Sequence, residues 1–433
     1  MIRRIIGLVR RGATSPTVEN TLWLAGSSAL NGMLGAVVAA LLARTLGVEE
    51  YGIYTLIISL IVLLTDVSDF GFNSSVIRFG SESVAEGNRE KLRAVVAIVT
   101  RWKLIAGALV LLASLLFLNA IVGYVFHHVD ERIAAYFRLS LIAVALGILS
   151  GVFVPIYHAH RTFRSYATIF TVRGLAKLVL MLVAVVILSP PSVPMLIGIE
   201  IVSIGVYLFL LYTFSPFKEL SLGVREPALE REMLGFNKWI SLYQAIALIG
   251  ARLDLAFVGG LADAHALGLY GAASKVSGLM SVAASSYMTV LLPDMSSSPS
   301  PESLKRKRRN AFVVVGLMAV GVLLVMLLAD PLVRVLFGNE FAGAGSVLRI
   351  LCIGLLLTIA AYPINASLFA MNKSAIFPVM SALSVPAFVG GNLLLVPRFG
   401  AEGAAMAYTF GAAVALLVTT VYSLLSRKAL QVE

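Results

Sequence analysis

Twelve mostly apolar runs, each about as long as the 20 or so residues a helix needs to cross a bilayer, divide this chain from end to end. They fall near 21–44, 53–76, 103–126, 134–157, 166–189, 193–214, 236–260, 267–291, 311–329, 344–368, 376–396 and 402–425. A membrane strand alternates over about ten residues, whereas these runs are continuously apolar. The spacing therefore predicts an all-α integral membrane protein. Composition agrees: of 433 residues 59% are hydrophobic and 13% charged, against about 25% charged in soluble domains. Single soluble cores stop growing at about 250–300 residues, so none could hide this much apolar sequence. Disorder, coiled coil and a disulfide scaffold are excluded as well, the last because Cys352 stands alone.

Charge predicts the orientation. With the N-terminus inside, the cytoplasmic segments carry Arg3, Arg4, Arg10, Arg11, Arg78, Arg89, Lys91, Arg93, Arg161, Arg164, Lys218, Arg225, Arg231, Lys305 to Arg309, Lys373, Arg427 and Lys428, and the outer loops only Arg44, Arg132, Arg334 and Arg398. The positive-inside rule then puts both termini in the cytoplasm. The net charge of +11 reads as basic loops against anionic lipid, not as a nucleic-acid footprint. The run Lys305 to Arg309 lies between two spans and reads as a topology anchor, and the N-terminal arginines read as a segment on the membrane surface.

The chain also repeats itself. Gly52-x-Tyr54 follows the first run and Gly268-x-Tyr270 the seventh, half a chain length later. Each stands at the expected outer entry to the second span of its half. With six spans per half, both halves start on the same side, so the repeat is parallel about an axis along the membrane normal. This gives an N-terminal lobe over 1–214, a cytoplasmic linker over 215–235 and a C-terminal lobe over 236–433, with a cavity expected between the lobes.

Ionisable residues inside spans are costly and mark pathways or partners. Arg252 lies nine residues in from Leu261, about 13.5 Å at 1.5 Å per residue, and Lys275 is as deep in the next span. Arg173 approaches that level from the cytoplasmic side, and Lys177 shares its face one turn on. These four are candidate contacts for an anionic substrate. Asp66 and Asp69, three apart on one face, together with Glu200 and Asp254, are candidate carriers of a proton or ion. A structural ion-pair role for the same charges is the competing reading. His158 and His160 lack a third ligand for a metal, and Pro363, Pro378 and Pro386 are expected to kink spans ten and eleven. No nucleotide-binding or hydrolase motif occurs and no loop is long enough to be a catalytic domain, so a transporter without cofactor or metal is expected.

A family resemblance sharpens this. Leu41-Leu-Ala-Arg-Thr-Leu-Gly-Val-Glu-Glu-Tyr-Gly-Ile-Tyr, Asp69-Phe-Gly-Phe followed by Arg78, Arg252-Leu-Asp-Leu-Ala-Phe-Val-Gly-Gly, Leu267-Gly-Leu-Tyr-Gly-Ala-Ala-Ser-Lys, Ala329-Asp-Pro-Leu-Val-Arg-Val-Leu-Phe-Gly and Asn392-Leu-Leu-Leu-Val-Pro-Arg-Phe-Gly-Ala-Glu-Gly stand in order along the chain. Together they resemble the Wzx-type oligosaccharide flippases of the multidrug/oligosaccharidyl-lipid/polysaccharide exporter superfamily. The resemblance implies two six-helix lobes in a V, a cationic central cavity and alternating access. It further implies an undecaprenyl-diphosphate-linked oligosaccharide as substrate, carried to the outer leaflet of a bacterial plasma membrane for surface polysaccharide or O-antigen assembly. Membrane lipids, and a polysaccharide polymerase with other assembly proteins, are the implied partners. It adds Arg78 to Arg252 and Lys275 as substrate contacts, while Arg173 and Lys177 rest on the depth count alone. The alternatives are a multidrug extruder, which would favour acidic and aromatic lining, and a membrane polymerase or ligase acting on lipid-linked sugars. A major-facilitator carrier lacks support because its loop pattern between spans two and three is absent.

Overall fold

The computed structural model describes residues 16–117, 132–188, 191–218, 223–296, 301–371, 373 and 375–429, and these contain helices and turns without a strand. Residues 1–15, with the expected surface segment, and residues 118–131, with the end of the expected third run and most of the loop after it, lie outside them. In chain order the α-helices are α1 (Pro16–Asp69), α2 (Phe72–Ser75), α3 (Ser81–Ala85), α4 (Arg89–Leu116), α5 (Ile133–Ala159), α6 (Phe163–Leu188), α7 (Val193–Thr213), α8 (Pro227–Arg252), α9 (Asp254–Leu261), α10 (Ala264–Ser296), α11 (Pro301–Leu327), α12 (Ala329–Phe337), α13 (Ala344–Ala370) and α14 (Ile376–Ala429). A π-helical turn, Val76–Gly80, joins α2 to α3.

Nine described helices are long and apolar enough to cross a membrane, where the sequence predicts twelve spans. The difference has physical causes. Helices α1 and α14 have 54 residues each, about 80 Å at 1.5 Å per residue, more than twice a hydrocarbon core of about 30 Å. Each is bent once by a glycine outside the helical region, Gly47 (φ 77°, ψ 176°) and Gly400 (φ 54°, ψ −125°), and so covers two of the expected runs. In α14 the break falls at Gly400, although Pro386 and Pro397 lie within the helix. The expected run 236–260 is divided between α8 and α9 by a break at Leu253, and the polar start of α8 keeps it below the hydropathy of a span. Boundaries also shift. The second expected span stops at Asp69, since Phe70 (φ 42°) and Gly71 (φ 77°) turn left-handed, and the third begins at Arg89 instead of 103.

The legs of α1 meet at Gly47 at one end of the bundle, the Gly47 face; the π-helical turn, the start of α4, the α5–α6 turn and the start of α8 cluster at the other, the basic face, which carries Arg78, Arg89, Arg161 and Arg231. In the first half, α1 packs on α5 and α6, and α5 on α7; in the second, α13 packs on both α10 and α14. The most extensive contact of all joins the halves, α1 against α10. Here the two Gly-x-Tyr sequences meet. A Cβ on Gly52 would lie 2.4 Å from the Ala264 carbonyl oxygen, and one on Gly268 2.1 Å from that of Val48, so only glycine allows the two backbones to come this close. Around this contact on the Gly47 face, Tyr51 packs edge-on against Phe341 (5.6 Å), and Arg44 donates from Nε to the Leu336 carbonyl (3.0 Å) at the end of α12.

Candidate substrate cavity

A cavity of 710 Å³ lies between the halves, walled by both legs of α1, by α6, α9 and α10, and by Leu351 and Tyr408. Helical spacing builds it. Tyr51, Thr55, Ser59 and Val62 recur every three or four residues along α1, as do Tyr270, Ser274, Ser277 and Ser281 along α10, so each helix turns one polar face inward. The α10 hydroxyls donate to their own helix, Ser274 to Gly271 O (3.0 Å) and Ser281 to Ser277 O (3.0 Å), which leaves their acceptor lone pairs to the cavity. From α6 come Arg173 and Lys177, and Lys275 enters from α10. Three of the five cations singled out in the sequence therefore share this space. Arg252 is the last residue of α8, beside the Leu253 break, and its side chain lies outside those described. Arg78 does not line the cavity: it is exposed on the π-helical turn, 4.4 Å from the Phe236 ring and 5.1 Å from that of Phe79. Arg78 stands beyond the second run, among the residues the charge reading put outside the spans, and apart from Arg173, Lys177 and Lys275.

Glu200 stands behind the α6 cations. It is 5% exposed on α7 and meets Arg173 Nη2 at 3.3 Å through Oε1 and Lys177 Nζ through Oε2. A buried carboxylate needs such partners, and two cations against one acid leave the wall net positive. The Arg173 guanidinium also lies 5.0 Å from the Tyr207 ring.

A second cavity, 290 Å³, lies within the first half and gathers Asp66, Asp69, Lys103 and Glu200, with Arg173 lining both spaces. Asp66 and Asp69 line it together, as their spacing predicts. Asp69, however, is matched by Lys103 at 2.8 Å, a partner the sequence reading did not name. Lys103 is 3% exposed and also donates to Asn73 Oδ1 (2.6 Å) and to the Gly151 carbonyl (2.6 Å). That carbonyl is available because Pro155, four residues on within α5, has no N–H to offer it. Asp254, the fourth candidate acid, opens α9; its Oδ1 accepts from Leu255 N (2.9 Å) and its Oδ2 from the Tyr270 hydroxyl (2.9 Å). It faces the central cavity, apart from the other three acids.

Two apolar halves meeting over a cavity that holds three cations, with a span broken beside it, are an arrangement found in membrane transporters. Such discontinuous helices mark substrate sites in transporters. The model of the family "Polysaccharide biosynthesis protein" matches residues 17–298, and the chain belongs to that family. Among curated relatives it is 21% identical over 403 residues to the putative O-antigen transporter of Shigella flexneri, covering 90% of this chain and 94% of that one. Two solved structures share the fold at 15% identity and a TM-score of 0.74. One is an inward-facing multidrug-resistance MATE transporter, covering 92% of this chain and 95% of its own, and the other is the lipid II flippase MurJ in an inward closed conformation, covering 92% and 87%. The protein is a flippase-type polysaccharide transporter with the fold of those two proteins.

Proposed function

We propose that the chain carries a polyprenyl-diphosphate-linked oligosaccharide, of the undecaprenyl type, from the cytoplasmic to the outer leaflet of a bacterial plasma membrane by alternating access. The basic face is then cytoplasmic, as are both termini, and a polysaccharide polymerase receives the product on the Gly47 side. The observation that carries this reading is the cationic wall of the central cavity, where Arg173 and Lys177 outnumber Glu200. Burying a diphosphate without such partners is prohibitive, and the arginine fork suits phosphate oxygens. Lys275 and Arg252 complete the anion site from the other lobe, and Arg78 guides the approach from the basic face. Coupling to a proton or ion is assigned to Asp66, Asp69 and Glu200 around the second cavity and to Asp254 at the central one. The touching of α1 and α10 at Gly52 and Gly268 supports a state sealed toward the Gly47 face.

The test is a deletion strain complemented with wild type, Arg173→Gln or Lys177→Gln. Deletion should leave lipid-linked oligosaccharide on the cytoplasmic leaflet and abolish surface glycan. Each variant should lose most translocation while reaching the membrane in normal amount, since Glu200 keeps its other cation. Unchanged translocation by both variants removes the cationic site. The multidrug reading is kept alive by Asp254 and the tyrosines around it, an acidic and aromatic corner, and it predicts drug hypersensitivity with normal surface glycan on deletion.

A further inference from the structure

The internal repeat does more than close one face. Two residues beyond each contact glycine stands a tyrosine, Tyr54 after Gly52 and Tyr270 after Gly268, and both line the central cavity next to the sealed contact. Tyr270 donates to Asp254, which sits at the α8–α9 break, and Tyr54 shares the cavity wall with Lys177. Tyr51 lines the same end; its ring is clamped by Phe337 and Phe341, and its fully buried hydroxyl has no hydrogen-bond partner. A buried hydroxyl left unpaired costs free energy until some group meets it.

We propose that this end of the cavity is a sugar subsite, in which Tyr54, Tyr270 and Asp254 hold the sugar nearest the diphosphate and Tyr51 offers its hydroxyl to the same ring. The inference rests on the diphosphate reading of Arg173 and Lys177. A pyranose has apolar C–H faces and a rim of hydroxyls, and a tyrosine has an aromatic face with a polar tip, so the two match. A carboxylate accepts strong bonds from sugar hydroxyls but repels a phosphate, which separates this corner from the cationic wall. Connectivity also fits: a glycosyl diphosphate needs its sugar grip beside its anion grip, and Tyr54 lines the same cavity as Arg173 and Lys177. Because the tyrosines ride on α1 and α10, parting these helices at Gly52 and Gly268 pulls the two halves of the sugar grip apart. Opening of the Gly47 face and release of the sugar are therefore one movement.

The experiment measures binding to the purified full-length protein of farnesyl diphosphate and of P1-farnesyl P2-glycosyl diphosphates bearing glucose, galactose or N-acetylglucosamine. Wild type should bind at least one glycosylated probe more tightly than the bare diphosphate. Tyr54→Phe, Tyr270→Phe and Tyr51→Phe should each weaken that probe roughly 3- to 10-fold, the worth of one hydrogen bond, and leave farnesyl diphosphate unchanged. Tyr51→Phe removes only an unpartnered hydroxyl, so the free protein should melt no lower than wild type and the variant remains informative if Asp254→Asn fails to fold. Equal binding of bare and glycosylated probes by wild type overturns the subsite, as does an equal loss of both in the tyrosine variants. Tyrosine-dependent binding of tetraphenylphosphonium without sugar dependence also overturns it, in favour of a cationic drug. Arg173→Gln/Lys177→Gln that binds farnesyl diphosphate as wild type does refutes the diphosphate reading instead, and sugar dependence is scored separately.

Discussion

Lys103 shows how one buried charge organises the first lobe. Its ammonium reaches Asp69 at the end of α1, Asn73 beyond the left-handed turn and the Gly151 carbonyl that Pro155 leaves open in α5. Three elements are tied to a fourth through one group. Lys103→Met would strand Asp69 in a buried site, and removing one member of a buried pair costs roughly 3–5 kcal/mol. Melting of the purified variant should fall accordingly, and Lys103→Met/Asp69→Leu should recover most of the loss, because two apolar groups of similar size replace the pair. A single variant as stable as wild type would show that the pair contributes little. Sequence reading missed Lys103 for a definite reason. The apolar run begins at residue 103, so the lysine looked like a boundary residue, whereas α4 starts fourteen residues earlier, with Asn88 capping Lys91 N at 2.9 Å. The cap was legible; that the polar first turns continue into the span was not. Arg173 and Lys177, by contrast, could be found by counting depth, since their helix runs unbroken between its ends.

Among the elements, α8 departs furthest from its sequence reading. Residues up to 235 look like a polar linker, yet Leu229 and Met233 are buried in the first lobe's core near the basic face, and Glu230 accepts from Arg101 Nη2 (2.6 Å) and Trp102 Nε1 (2.8 Å). About two turns on from Glu230, Asn237 donates to the Phe70 carbonyl (2.6 Å) and accepts from Ser75 (3.2 Å). The apolar stripe was readable at helical spacing, but periodicity names a buried face and not the lobe that buries it. Burial by itself pushes the Glu230 carboxyl up; the hydrogen bonds from Arg101 and Trp102, with the Arg101 charge, outweigh it and hold the group below the ordinary carboxylate value of 4.5. The folded value is the lower one, so the stabilisation is complete above the ordinary value and is lost as pH falls through the folded one. Wild type should therefore melt above Glu230→Gln at neutral pH, with the gap closing as the medium is acidified below the carboxylate range. A gap that persists in acid would mean that the docking of α8 depends on shape and not on the charge.

The whole molecule turns on where its halves touch. The repeated Gly-x-Tyr was legible as two separate span entries, but no spacing rule says that one copy lies on the other; only the contact of Gly52 with Ala264 and of Gly268 with Val48 does. The bends at Gly47 and Gly400 fall in the gaps between expected runs and so were legible as breaks, but hydropathy does not say that helix continues up to each glycine on both sides. If the glycine contact seals the Gly47 face, a methyl group there must push α1 from α10, because backbone carbonyls at 2.4 and 2.1 Å cannot swing aside as a flexible side chain would. Gly52→Ala and Gly268→Ala should therefore shift the population toward a state parted on that face. Spin labels at Glu49 and His265, both exposed near the contact, should report a longer distance in each variant than in wild type. Gly35→Ala is the control: it lines the same cavity on α1, nothing lies within 4 Å of its added Cβ, and alanine favours the helix by up to about 1 kcal/mol. Its label distance should match wild type. A lengthening in Gly35→Ala as large as in Gly268→Ala would trace the effect to helix propensity, and unchanged distances in all three variants would mean that the halves separate elsewhere.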